Sequence, residues 1–277
     1  MGIATMAPPL TAAEDVDEAL AQRGFVVIEG GQLEMLLGVL PGVGERAFAH
    51  WAASWNHLPP DNYLRDGGRY RQRRHGSFVV DGDSVAAAPH RAHWQPVEYN
   101  ALHGGLERWF QPLDSGLVAE PLWSRLLLVL AQRARALRAA QSAPRVRSAT
   151  AAAGDAMALG RVGHAQPWYV EAHQFRIDTA GGIGRPTPEG AHRDGVDMVA
   201  VMLVSRVGIK GGETRVFDAA GPSGLRFTMD RPWQLLLLDD ARMIHETTPI
   251  QPVEANRVGH RDTLVVTLRA GGFLGPS

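Results

Sequence analysis

His192 and Asp194 stand two residues apart in "PEGAHRDGVD". In extended chain, residues i and i+2 project from one face, about 7 Å apart along the backbone. Both side chains can then reach one ion while Arg193 turns away. A third ligand of the right kind, His245, lies about fifty residues downstream in "LLLLDDARMIHETTPI", after an apolar run and an acidic turn. Two imidazoles and one carboxylate on one face of a metal leave its remaining positions open to small molecules. The chain has no cysteine, which excludes disulfides, thiolate ligands and cysteine nucleophiles together. A metal here must be held by His, Asp or Glu, a set that suits iron, zinc, manganese or copper. The single lysine, Lys210, sits in the turn "IKGGE", a poor place to desolvate an amine for Schiff-base chemistry.

A second pair has the same spacing. In "GHRDTLVVTL", Arg261 and Thr263 share a face and Asp262 takes the other. A buried arginine beside a metal is the natural receptor for the remote carboxylate of a small acid. His260 and Asp262 repeat the His-x-Asp spacing, but "TLVVTLRAGGFLGPS" offers no later histidine to complete a ligand set.

The elements that position these residues divide the 277-residue chain into two textures. The first half, about 1–150, reads as mainly helical. "LTAAEDVDEALAQRG" has capping-box spacing at Thr11 and Glu14 and a terminating Gly24, and "FVVIEG" follows as a short strand. "LEMLLGVL" and "GERAFAHWAASW" continue as helix until Pro59 and Pro60. From Asp114 to the stop at Pro144 we expect one helix, with Leu122, Leu126, Val129, Leu130, Arg133 and Leu137 at helical spacing. "SATAAAGDAMALG" is expected to be a loop leading into a strand. From about 160 to 272 the chain becomes a series of short β-rich runs separated by Gly, Pro and Asp, which points to an antiparallel sandwich or barrel. A single α+β domain follows, its helical half buttressing a β core that carries the candidate site.

Composition is that of a folded globular protein, with 45% hydrophobic and 21% charged residues. A net charge of -1 gives no general attraction to nucleic acid or anionic membranes. No apolar run reaches the ~20 residues that span a bilayer. The N-terminus lacks the basic n-region of a secretory signal, so a cytoplasmic protein is the expectation.

In "PEGAHRDGVDMV", "GGETRVF", "LLLLDDARMIHETTPI" and "HRDTLVVTL" the chain resembles the Fe(II)/2-oxoglutarate-dependent dioxygenase superfamily. The likeness covers roughly residues 170–270. Within that superfamily it most resembles the branch of bacterial free L-amino-acid hydroxylases, isoleucine dioxygenase among them, and of homologues named for biofilm, stress and motility. "PEG-x-H-x-DG", "SRVGIKGGET", "YRQRRHGSF" and "NALHGGLERWFQPL" carry this finer likeness. The resemblance implies a double-stranded β-helix (jelly roll, cupin-like) with Fe(II) on His192, Asp194 and His245 and 2-oxoglutarate on Arg261 and Thr263. It also implies hydroxylation of an unactivated C–H with O2, releasing succinate and CO2. Related halogenases replace the carboxylate ligand with a small residue, and Asp194 favours hydroxylation. The implied partner is a small molecule, with no nucleic acid and no membrane.

Four further residues are candidates for the substrate: Arg73 or Arg74 for a substrate carboxylate, and Gln174 and Arg176, which share a face in "VEAHQFRID". His173, on the opposite face, is expected to be structural, and His90 and His93 to be exposed loop residues. The run Arg65, Arg69, Arg71, Arg73, Arg74 with Tyr70 and Phe78 could track a nucleic-acid backbone, but a solvated face with one or two structural arginines is the simpler reading. Gly211 and Gly212 with Glu213 are expected to form a hairpin turn between core strands. The competing functional class is a non-catalytic jelly-roll sensor or interaction protein; nucleic-acid oxidation ranks third.

Overall fold

A computed structural model of the chain describes residues 6–40, 42–142 and 166–276. Among the described residues, five α-helices span α1 Val16–Arg23, α2 Gly30–Leu37, α3 Val43–Ala53, α4 Ser115–Ala119 and α5 Pro121–Ser142. Twelve strands in the same described residues span β1 Phe25–Ile28, β2 Arg71–Asp81, β3 Ser84–Ala87, β4 Trp168–Asp178, β5 Met198–Val207, β6 Ile209–Gly211, β7 Thr214–Asp218, β8 Gly224–Phe227, β9 Leu235–Asp239, β10 Met243–Thr247, β11 Ile250–Pro252 and β12 His260–Ala270. The segment 148–160, expected as a loop, lies outside the described residues, as does Pro144.

Seven strands form one antiparallel sheet in the order β1-β9-β5-β12-β4-β2-β3. A three-stranded sheet, β10-β7-β8, and a two-stranded one, β11-β6, make up the rest. The large sheet is covered on both faces. Leu235 and Leu237 of β9 pack toward α2, α3 and α5, while Leu236 and Leu238 pack with Val216, Phe227 and Met243 of the small sheet. Burial on both faces explains why β9 reads as an unbroken apolar run rather than an alternating one. The mainly helical first half also contributes strands, the one expected at "FVVIEG" among them. It supplies β1, β2 and β3, two of them at the edges of the large sheet, so both halves share that sheet.

Local chemistry sets the helix ends. Gly24 adopts φ 79° and donates to Leu20 O, ending α1 where glycine best tolerates the left-handed conformation. The capping box at its start does not form. Thr11 Oγ1 instead accepts from Arg23, and Gln32 Oε1 accepts from Ala13 N at 2.8 Å. The helix expected to run on from Asp114 is two helices. Asp114 caps α4 by accepting from Gly116 N and Leu117 N, and Pro121 opens α5, where a missing N–H costs nothing. The α5 stripe faces the core, with Leu126 and Leu130 fully buried. Leu130→Ala should therefore lose about 2–5 kcal/mol of stability; urea unfolding followed by circular dichroism checks this. No helix among the described residues is long and apolar enough to cross a membrane.

Candidate metal centre and its cavity

Pairing across β2, β4, β12 and β5 lays side chains in rows on the sheet face opposite the helices. Arg71, Ile177 and Arg261 form one row; Arg73, Phe175 and Thr263 form the next. His75, His173, Val265 and Val201 form a third. This face floors a cavity of about 120 Å³, closed above by loop residues 186–196 and by β10, with room for several water-sized groups.

His192, Asp194 and His245 meet at the cavity wall, each offering a ligand atom within 4.8 Å of the others. His192 is not in a strand of its own. It forms a single antiparallel bridge with His245, His192 N donating to His245 O (3.1 Å) and His245 N to His192 O (2.9 Å). His192 Nδ1 lies 2.9 Å from Gly190 O, which makes Nδ1 the protonated nitrogen and leaves the Nε2 lone pair facing Asp194 Oδ1 at 3.8 Å. His245 Nε2 lies 3.9 Å from Asp194 Oδ2. Burial and the neighbouring His192 push the His245 pKa down to about 3, so its ring is neutral, the form a metal takes. At His192 burial alone would lower the pKa, but the Asp194 and Glu189 carboxylates outweigh it and raise it. Arg193 points away, donating to Ala241 O.

Two residues that hold Asp194 in place were not found by sequence reading. Asp240, the second acid of the turn after β9, accepts from the backbone N–H groups of Asp194, Gly195 and Val196 at 2.7–3.0 Å. Burial and the Asp194 charge push Asp240 up to about 7. Gly195 adopts φ 79° in this turn, and a Cβ there would meet the Tyr99 ring. Gln95 Nε2 donates to Asp194 Oδ1 (2.9 Å), while Gln95 Oε1 accepts from Arg108 (2.9 Å) and Asn100 (3.1 Å). The doubled apolar-to-acid step "LLLLDD" was the available signal for Asp240; Gln95 has none.

Arg261 is 4% exposed and lines the cavity with Thr263, while Asp262 faces away to pair with Arg176 at 2.7 Å. Among the described residues Arg261 has no carboxylate within ion-pair distance, and its Nε is buried without a partner. Burial, with Arg206 adjacent, lowers its pKa to about 10. A buried guanidinium without an anion is a strong demand for one.

The candidates for substrate contact separate by parity. Arg73 reaches the cavity; Arg74 does not, donating instead to Pro112 O and His57 O on the helix side. Gln174 and Arg176 also face that side, Gln174 bonding Ser54 and Arg176 pairing with Asp262. The β4 residues that line the cavity are Glu171, His173, Phe175 and Ile177. Within the basic run Arg71 and Arg73 are the buried arginines, while Arg65 and Arg69 are exposed. His93, expected to be exposed, is buried with His75 and His173 in a second group able to hold a metal ion. Gly211 and Gly212 do not turn a hairpin: β6 pairs with β11 and β7 with β10, so the turn passes the chain between two sheets.

The second histidine group is already engaged. Glu171 lies 3.2 Å from His75 Nε2, 3.4 Å from His93 Nδ1 and 2.7 Å from Arg91. Arg73 stands 3.0 Å from His173 Nδ1. Burial depresses the pKa of His93 to about 3 and of His173 well below its ordinary value, and lowers His75 as well. These rings are neutral when folded but protonate near 6.5 when unfolded. Acid therefore drives unfolding: this contribution to stability is complete above about pH 6.5 and is lost as the pH falls toward the folded-state values. Melting temperatures across about pH 7.5 to 5 should fall steadily; a flat profile would contradict neutral burial.

A sequence profile of the 2OG-Fe dioxygenase family matches residues 52–267. Among solved structures, a bsmA homolog from Methylobium petroleophilum PM1 is 46% identical, with each chain covered completely and a TM-score of 0.82. IDO from Bacillus thuringiensis is 15% identical over 96% of this chain and 99% of its own, with a TM-score of 0.69. The Fe(II)/(alpha)ketoglutarate-dependent dioxygenase TqaL is 18% identical over 96% of this chain and 92% of its own, with a TM-score of 0.65. These last two likenesses are of fold alone. A search of the curated proteins finds no match. With the profile covering most of the chain, and a full-length relative at 46% identity, the protein belongs to the 2OG-Fe dioxygenase family, whose members draw on Fe(II), 2-oxoglutarate and O2.

Proposed function

We propose that this dioxygenase hydroxylates an unactivated C–H of a small substrate, a free L-amino acid, with Fe(II) on His192, Asp194 and His245 and 2-oxoglutarate on Arg261 and Thr263. The observation that carries the reading is the meeting of three ligand atoms within 4.8 Å beside a buried arginine that lacks an anion. We read the large sheet and the small sheets facing it as the two walls of a double-stranded β-helix, with the ligands at its mouth, and the protein as cytoplasmic. When bound, Fe(II) and 2-oxoglutarate supply the oxidising power: one oxygen of O2 enters the substrate C–H, and the other leaves in succinate as CO2 is lost.

The residues of the chain bind and orient. The Gly190 carbonyl holds the His192 ring with Nε2 toward the ion. Gln95 fixes one Asp194 oxygen by hydrogen bonding, and Asp240 shapes the turn beneath it. Arg261 draws in the remote carboxylate of 2-oxoglutarate, with Thr263 next to it on the same face. The first histidine group is preferred for iron because, among the described residues, its carboxylate forms no ion pair with an arginine or lysine, whereas His173 in the second group has Arg73 at 3.0 Å. The amino-acid reading is supported by the motif resemblance and by the arginines on the β2 side of the cavity.

The test is succinate release by iron-loaded protein across a panel of amino acids, with mass spectrometry for products heavier by one oxygen. No turnover of 2-oxoglutarate with any amino acid would defeat the substrate class. Gln95→Leu should weaken iron binding by about 10–100-fold, as outer hydrogen-bond partners of ligands do. A competitive chelator titration reads this directly.

A further inference from the structure

At the β2 end of the cavity the charges do not balance. Arg71 is paired with Asp61 (2.7 Å) and Arg91 with Glu171 (2.7 Å). Arg73 and Arg108 have only neutral acceptors, His173 Nδ1 and Gln95 Oε1. They are 3% and 2% exposed, and each has a buried Nε without a partner. Arg73 is also held between the faces of Phe110 (4.1 Å) and Phe175 (4.6 Å), which fixes the plane of its guanidinium. Burial, with Arg108 nearby, pushes the Arg73 pKa well down, a sign that its charge lacks compensation.

The carboxylates at this end already pair with the other two arginines. Glu171 Oε1 is bonded to His75 and Arg91 while Oε2 faces His93 at 3.4 Å; Asp61 accepts from Arg71 and Tyr63 N. A substrate ammonium would find a single carboxylate oxygen there, Glu171 Oε2, whereas an acidic group would find two guanidiniums that no carboxylate pairs among the described residues. Among the described residues, the one cavity carboxylate with a buried, unpartnered oxygen is Glu189, beside His192 at the metal end. The receptor is also tied to the metal centre, because Arg108, Gln95 and Asp194 form one hydrogen-bonded chain.

We propose that Arg73 and Arg108 are the receptor for an acidic end of the substrate, and that the substrate is a small acid of net negative charge, an acidic rather than a neutral amino acid. The identity as an amino acid rests on the proposed function; the anion receptor does not. Asp194, Arg261 and the iron are left to the cosubstrate side of the cavity.

Calorimetric titration of metal-free protein with L-glutamate, L-aspartate and L-isoleucine tests it. The acidic amino acids should bind at least about tenfold more tightly than L-isoleucine. Arg73→Met and Arg108→Met should each weaken that binding by about thirtyfold or more, the effect of removing one partner of a buried charged contact. Arg261→Met should leave it unchanged. In wild-type protein, saturating 2-oxoglutarate should not displace L-glutamate, a measurement that holds even if an arginine variant does not fold. Equal binding of L-isoleucine, or displacement by 2-oxoglutarate, would overturn the proposal. Tight acidic binding without succinate release would uphold the receptor while removing the amino-acid hydroxylase reading. Succinate release with L-isoleucine and no acidic binding would do the reverse.

Discussion

His245→Ala should lose stoichiometric iron and at least about a hundredfold of 2-oxoglutarate turnover. Mutating outer-shell partners of metal ligands costs about 10–100-fold, and His245 would contribute a bond to the ion itself. His245 is 9% exposed, its ring is neutral, and its backbone is bonded to that of His192. Truncation therefore removes a preformed donor and leaves the strand pairing intact. His173→Ala is the control that separates the two histidine groups: it should keep iron and lose only cavity packing around Arg73. Iron content by elemental analysis, with succinate release on the same samples, decides the matter. A His245→Ala protein that retained iron, or a His173→Ala protein that lost it, would move the metal to the other group.

Arg261→Lys should raise the 2-oxoglutarate KM by about thirtyfold or more and leave iron affinity unchanged. Lysine keeps the charge but not the planar pair of donors that grips a carboxylate. Loss of one side of a buried charged contact is worth about 2–5 kcal/mol. The position allows no substitute, because among the described residues the adjacent Arg206 is committed to the Gly211 carbonyl at 2.6 Å. Initial rates against 2-oxoglutarate, with iron affinity measured separately, test both halves. A raised iron dissociation constant would mean that Arg261 shapes the metal centre rather than the cosubstrate pocket.

The residues legible in the sequence were those whose partners obey a spacing rule. His192 and Asp194, or Arg261 and Thr263, announce a shared face by standing two apart, and the order of the pairs added the rest. Arg73 and Arg74 could not be separated that way. Which of them faces the cavity is set by the pairing of Arg73 with Phe175, and a slip of one residue would exchange them. Gln174 and Arg176 misled for a related reason. Polar residues occupy both faces of β4, so alternation did not reveal which face the cavity takes. Gln95 and Asp240 reach Asp194 from 99 and 46 residues away in the chain, through contacts that no local pattern encodes. The helical and strand segments were easier, since periodicity is local; the break at Pro121 was the main error, a proline that starts a helix rather than interrupting one.

The place of β12 in the large sheet bears on how the protein is made. It lies between β4 and β5 and is translated after both, so those two strands must wait with unpaired edges until it arrives. Arg261 and Thr263 come with it, and the floor of the cavity is incomplete before then. Iron captured earlier, on His192, Asp194 and His245 alone, would sit in a half-built vessel open to solvent. Late closure by long-range pairing is slow, and exposed strand edges invite pairing with other chains. Production of the protein should therefore benefit from cool, slow expression with iron supplied after synthesis rather than during it.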